Sequence, residues 1–230
     1  MKIKVCGMRD SENISGLLNL KPDFIGFIFY AQSKRFVTDF PQIEIPFSTK
    51  KVGVFVNETI DEIIGKVIKY KLDFVQLHGN ETPEYCEKLI AIITVQSRNE
   101  NKLRHSEPAC PVGRLVSESH PIGIIKAFSI DEDFNFDVIQ PFEKHVSLFL
   151  FDTKGKNYGG NGVKFNWDLL QNYKGKTPFL LSGGISKEDV FELRKIRHPA
   201  FLGVDINSGF ELEPGLKNVD EIKEFKSRLI

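Results

Sequence analysis

Residues Ser147 to Gly162 read SLFLFDTKGKNYGGNG. Four apolar residues, Leu148 to Phe151, stop at Asp152 and give way to a loop rich in glycine and lysine. A short run with no polar alternation is the mark of a strand covered on both faces, as in a parallel sheet. In such sheets chemistry gathers at the carboxyl ends of the strands. Asp152 is therefore either a turn cap or a reacting carboxylate, and the rest of the chain has to decide.

Working outward, the same kind of run recurs. Candidate strands are Lys2–Cys6, Phe24–Phe29, Lys51–Val56, Phe74–His78, Gly123–Phe128, Ser147–Phe151, Pro178–Ser182 and Phe201–Ile206. Helix signals fall between them. Thr59 with Glu62 reads as a capping box ahead of Ile60, Ile63, Ile64, Val67 and Ile68 on one face. Thr82-Pro83 places a capping hydroxyl before a proline at the first helical position. Ser186 with Asp189 and Asn218 with Glu221 open two more helices. Eight strands, each followed by a helix or a long connection, predict an α/β protein: one (β/α)8 TIM barrel domain over residues 1–230. An open doubly wound sheet is the competing layout, but no GxGxxG follows the first strand.

One segment breaks the rhythm. Residues 96–121, QSRNENKLRHSEPACPVGRLVSESHP, are polar, carry three prolines and keep no apolar period. They read as a mobile insertion ahead of the fifth strand. His105, Cys110 and His120 lie within it, but their spacing matches no zinc pattern, so no metal site is expected.

The 31 basic and 31 acidic residues balance and form no long run of one sign. Nucleic-acid grooves and membrane-surface helices want concentrated positive charge, so neither partner is expected. A small anion is still compatible, because backbone amides can hold a phosphate without net charge. The opening MKIKVCGMRD carries charges where a signal peptide would be apolar, and no segment has the ~20 apolar residues of a membrane span. Three scattered cysteines suit a reducing compartment. A cytoplasmic protein is the expectation.

On the first strand, Lys2, Lys4 and Cys6 share a face by the two-residue period. If that face lines the barrel, Cys6 stands at the reacting rim with Lys4 beneath. A neighbouring cation favours a thiolate, so Cys6 could serve as a base, and an inert buried cysteine is the plainer reading. Arg35, after the second strand, offers a planar fork suited to a carboxylate, or simply a solvated surface charge. His78 shares a face with Gln76 at the end of the fourth strand, as a ligand contact or a rim histidine. Gly183-Gly184 after the seventh strand and Asp205-Ile206-Asn207-Ser208-Gly209 at the end of the eighth sit where barrels bind phosphate. The turn containing Gly160, after the sixth, adds a third rim element that could fold over a ligand.

Taken together these motifs resemble the phosphoribosylanthranilate isomerase family of tryptophan biosynthesis. The likeness rests on KVCGMRD (Lys4–Asp10), GFIFYAQSKRFV (Gly26–Val37), KVGVFVNE (Lys51–Glu58), QLHGNE (Gln76–Glu81) and IKAF (Ile125–Phe128). It continues in FDTKGKNYGGNGVKFNW (Phe151–Trp167), LSGGI (Leu181–Ile185) and VDINSGFE (Val204–Glu211). The polar insertion departs from the pattern, as do Asn207 and Phe210, where relatives often carry a serine and a smaller aliphatic residue. The insertion is expected on the strand-entry side, away from the reacting face.

The resemblance implies an aminoaldose-to-aminoketose isomerase. It would convert N-(5-phosphoribosyl)anthranilate to 1-(o-carboxyphenylamino)-1-deoxyribulose 5-phosphate by an Amadori rearrangement. Asp152 matches the general acid that opens the furanose ring, Cys6 the base that removes the C2 proton, and Arg35 the residue that meets the anthranilate moiety. A carboxyl raised by burial and a thiol lowered by a cation would suit that division of labour. His78, Gly160, Gly183, Gly184, Asp205, Asn207, Ser208 and Gly209 complete the expected binding set. No cofactor is called for, since the imine is itself the electron sink, and a monomer is the family's usual state. A histidine-pathway aminoaldose isomerase is the near rival, but it carries a carboxylate where Cys6 stands. A catalytically silent phosphate-binding barrel is the distant one.

Overall fold

Eight parallel strands pair in sequence order and the first closes on the last, giving a complete (β/α)8 barrel. The computed structural model describes residues 1–104, 122–154 and 164–230. The strands are β1 Lys2–Val5, β2 Phe24–Ile28, β3 Lys50–Phe55 and β4 Phe74–Leu77, then β5 Gly123–Ile130, β6 Leu148–Thr153, β7 Phe179–Leu181 and β8 Phe201–Ile206. Each lies within two residues of its sequence expectation. β6 is longer than its apolar run suggests, because β5 continues beside it and pairs Ser129 with Asp152 and Ile130 with Thr153. Asp152 thus lies inside the last turn of the sheet rather than beyond it.

Alternation along each strand divides the core. Phe24, Val52, Ile125, Ala127, Leu148, Leu150 and Leu180 fill the interior toward the strand-entry end, with the Phe24 and Phe74 rings edge to face at 5.5 Å. The opposite face of the strands packs under α1 Ser11–Leu18, α2 Ile60–Tyr70, α3 Pro83–Arg104, α4 Val190–Leu193 and α5 Val219–Leu229. Caps begin the helices where the sequence places them. Thr59 Oγ1 accepts from the Glu62 amide at 3.3 Å, and Asn218 Oδ1 from the Glu221 amide at 3.2 Å. Ser186 and Asp189 cap each other, but they head a 3₁₀ turn, Lys187–Asp189, before α4 begins.

Three connections differ from the regular pattern. After β5 and β6 the described helical turns are 3₁₀, at Phe136–Phe142 and Trp167–Asn172, the first with Pro141 inside it. Between β2 and β3 there is no helix. Phe40 covers the sheet instead, stacked on Tyr70 at 4.2 Å and lying 4.6 Å from Phe27. The expected insertion also begins later than its polarity suggests. α3 continues through residues 96–104 to Arg104. Glu, Lys, Leu and Arg are good helix formers, so the backbone can stay helical where the apolar period ends. Residues 105–121, with His105, Cys110 and His120, lie outside the described residues.

The loops above the strands are pinned by a buried ion pair. Lys126 on β5 donates to Glu81 Oε2 at 3.0 Å and to the Gly79 carbonyl at 2.7 Å. Glu81 Oε1 in turn accepts from the Asn57 amide at 2.8 Å, tying the ends of β3, β4 and β5 together. Among the described residues no helix is long and apolar enough to cross a membrane.

Candidate active site

Cys6 follows β1 directly, with its amide bonded to the Ile206 carbonyl at 2.9 Å, so β1 and β8 hold its backbone jointly. Its sulfur occupies space that only glycine leaves open: a Cβ on Gly26 would lie 2.8 Å from Sγ. Beneath it Lys4, fully buried, donates to Asp205 Oδ1 at 2.9 Å. The expected cation is therefore in place, yet the expected direction is wrong. Burial pushes the Cys6 thiol above its ordinary range; Lys4 pulls it down, and Asp205 opposes Lys4. Desolvation is the largest of these influences, and it wins.

Asp152 enters from β6, 5% exposed. Its Oδ1 accepts from the Thr153 amide at 3.0 Å, and its Oδ2 lies 3.3 Å from His78 Nε2. Gln76 supports the histidine from behind, its Nε2 donating to Nδ1 at 3.1 Å. With Nδ1 accepting, a neutral imidazole carries its proton on Nε2, directed at Asp152. The strand period that puts Gln76 and His78 on one face makes this chain possible.

Arg35 is half-buried and paired, not a free surface charge. Its Nε and Nη2 donate side-on to Glu211 at 2.8 and 2.6 Å. Glu211 also receives Lys217 Nζ and the Gly215 amide, and Lys217 donates to Asn207 Oδ1 at 2.7 Å. Glu211 and Lys217 come from a small hairpin, β9 Glu211–Glu213 with β10 Leu216–Lys217, that follows β8. Sequence reading missed this group. Glu211 was visible only as the end of a motif, and nothing local marks Lys217 as buried.

Gly183 and Gly184 both adopt positive φ, 95° and 66°, turning the chain sharply after β7. The 3₁₀ turn Ser208–Phe210 does the same after β8, and a Cβ on Gly209 would meet the Ile185 carbonyl oxygen at 2.1 Å. The two loops therefore lie against each other with small residues between them. Phe210 is accommodated by Phe225 of α5, ring centres 4.9 Å apart.

The strand ends and the two glycine turns border one cleft of about 680 Å³, open mouth included. Cys6, Asp152, His78, Arg35 and Asp205 line it together with Gly183, Gly184, Asn207, Ser208 and Gly209. Gly160 lies outside the described residues. Gln76 and Ser182 line it as well. Among the described residues no three His, Cys, Asp or Glu side chains cluster as metal ligands would. The cleft can offer a proton donor or acceptor from two walls and backbone amides to an anion at its rim.

Comparison with known proteins follows the same line. The family model of N-(5'-phosphoribosyl)anthranilate isomerase matches residues 3–107 and 114–228, interrupted only within the polar segment. N-(5'-phosphoribosyl)anthranilate isomerase of Parabacteroides distasonis is 44% identical, over 100% of this chain and 94% of that protein. The crystal structure of phosphoribosyl anthranilate isomerase from Thermotoga maritima superposes with a TM-score of 0.76 at 29% identity, covering 100% of this chain and 98% of that one. A phosphoribosyl anthranilate isomerase solved with reduced 1-(o-carboxyphenylamino)-1-deoxyribulose 5-phosphate gives 0.73 at 27% identity, with the same coverage. This chain belongs to the N-(5'-phosphoribosyl)anthranilate isomerase family.

Proposed function

We propose that this chain catalyses the Amadori rearrangement of N-(5'-phosphoribosyl)anthranilate to 1-(o-carboxyphenylamino)-1-deoxyribulose 5-phosphate, a step of tryptophan biosynthesis, and that Asp152 and Cys6 divide the proton transfers. Asp152 protonates the furanose ring oxygen, the C1–O bond breaks and the nitrogen lone pair forms the C1=N bond of a protonated Schiff base. Cys6 then takes the C2 proton, and the electrons of that C–H bond move toward the iminium nitrogen. The resulting enolamine tautomerises to the ketone. Each proton transfer contributes on the order of 10²–10⁴ in rate.

The observation that most supports this reading is the shared cleft: a buried thiol from the end of β1 and a buried carboxyl from β6 border the same space as the two glycine turns. In the proposal the Gly183, Gly184, Ser208 and Gly209 region receives the phosphate, with Asp205 and Asn207 framing it. His78 steadies Asp152 through Nε2, and Arg35 meets the anthranilate carboxylate. The raised thiol means that Cys6 is protonated in the empty site at neutral pH, so a proton must leave it before C2 is attacked. Lys4 limits that cost.

The test is to follow loss of anthranilate fluorescence when the purified protein meets freshly condensed anthranilate and 5-phosphoribosyl precursor. Turnover is the expected result. Turnover only of the histidine-pathway aminoaldose would select the near rival, and phosphate-ester binding without turnover the silent barrel. A monomeric, cytoplasmic state completes the proposal; a dimer mass in light scattering would remove the first part and export from the cytoplasm the second.

A further inference from the structure

The carboxylate of Glu211 is 5% exposed and accepts from four donors: Arg35 Nε, Arg35 Nη2, Lys217 Nζ and the Gly215 amide. One buried anion between two cations leaves a net charge of +1 at the edge of the cleft. Glu211 is anchored from the hairpin side by Lys217 and Gly215, so the arginine takes its position from the carboxylate and not the reverse. The stem of Arg35 is confined as well. A Cβ on Gly7, at φ 78°, would lie 2.6 Å from Arg35 Cδ, so the side chain crosses directly over the loop that follows Cys6. Glu211 uses two of the five guanidinium N–H donors and leaves three.

We propose that Glu211 is a positioning residue for Arg35, with Lys217 as its counterweight: it holds the guanidinium side-on so that the remaining donors meet the aryl carboxylate of the substrate. This rests on the reading that Arg35 contacts that carboxylate. A bidentate Arg–carboxylate pair is directional, which an isolated flexible arginine is not. The excess charge is what an incoming carboxylate would neutralise. Arg35 is raised above its ordinary range, chiefly by its hydrogen bonds to Glu211, so it stays charged with or without substrate.

The experiment compares two substrates, N-(5'-phosphoribosyl)anthranilate and the aniline adduct that lacks the carboxylate, with the intact chain and Glu211→Gln. The unaltered protein should prefer the anthranilate substrate by at least about tenfold in kcat/KM, the range of a charge-assisted hydrogen bond. Glu211→Gln should lose about tenfold on that substrate, mostly in KM, and less than about twofold on the aniline adduct. Equal losses on both substrates would make Glu211 merely structural, and no loss on either would make it idle; each overturns the proposal. If the unaltered protein does not distinguish the substrates, the role of Arg35 fails instead. Glu211→Asp keeps the charge but shortens the reach and should show the same substrate-selective loss. Failure of both variants to fold would overturn the proposal, making Glu211 a determinant of the fold and not of the arginine.

Discussion

In the proposed reaction Cys6 acts as a base, and its own burial holds that thiol back while its neighbours decide by how much. Since Cys6 is raised above the ordinary thiol value of about 8.5, kcat/KM should climb through an alkaline limb above that value, and iodoacetamide should label Cys6 along the same limb. A limb near pH 7 would mean that Lys4 outweighs desolvation. Cys6→Ser should lower kcat by roughly 10²–10⁴, because a hydroxyl cannot replace a thiol as base. Asp152→Asn should abolish turnover while the reduced product analogue still binds in calorimetry within a few-fold; loss of binding would make Asp152 an anchor. Glu211 gives a stability signature of its own. Its carboxyl is held down at about 2, with Arg35 and Lys217 outweighing the cost of burial. A lowered carboxylate contributes stability above its unfolded value of about 4.3, and that stability is lost as pH falls toward 2. Glu211→Gln should therefore flatten the acid limb of a thermal-stability profile.

At the scale of elements, the Lys126–Glu81 pair fastens three strand ends with both side chains almost fully buried. Lys126→Met would leave Glu81 charged and without its cation, and should cost about 3–5 kcal/mol in urea unfolding. A cost below 1 kcal/mol would show that water reaches the carboxylate. The strands themselves were legible because each is a short, mostly apolar run set off from its neighbours by connecting segments, which is how Leu148 to Phe151 announces β6. The residues at their ends were legible for the same reason, since a fixed barrel topology assigns Cys6, His78 and Asp152 to one rim. What was not legible depends on tertiary cover. The segments Phe136–Phe142 and Trp167–Asn172 carry no helix start that the sequence reading singled out, and they form 3₁₀ turns and not α-helix. Burial of Cys6 in the closed barrel outweighs Lys4 and reverses the expected thiol shift, and Asp205, 201 residues from Lys4 in sequence, adds to the same direction. α3 outlasts its apolar period because residues of high helix propensity can continue a helix without one.

For the molecule as a whole, one end carries chemistry and the other carries connections. The family model passes over residues 108–113, within the link from α3 to β5 that the sequence reading expects at the strand-entry end. Replacing residues 106–120 with a short turn should leave kcat/KM within about threefold, since connections on the non-reacting end tolerate change. An unfolded product would mean that the segment supplies part of the core. The seam where β8 meets β1 has a consequence of another kind. Lys2 to Val5 pair with Gly203 to Ile206, and Cys6 hangs from the same seam. As the polypeptide emerges from the ribosome, the first barrel strand must wait, unpaired on one side, for the eighth. Until then β1 and β7 are bare edges able to recruit neighbouring chains. The thiol's working pocket has no partial form: it comes into being when the ring snaps shut, and a nascent chain that stalls short of β8 is a seed for aggregation rather than a slow enzyme.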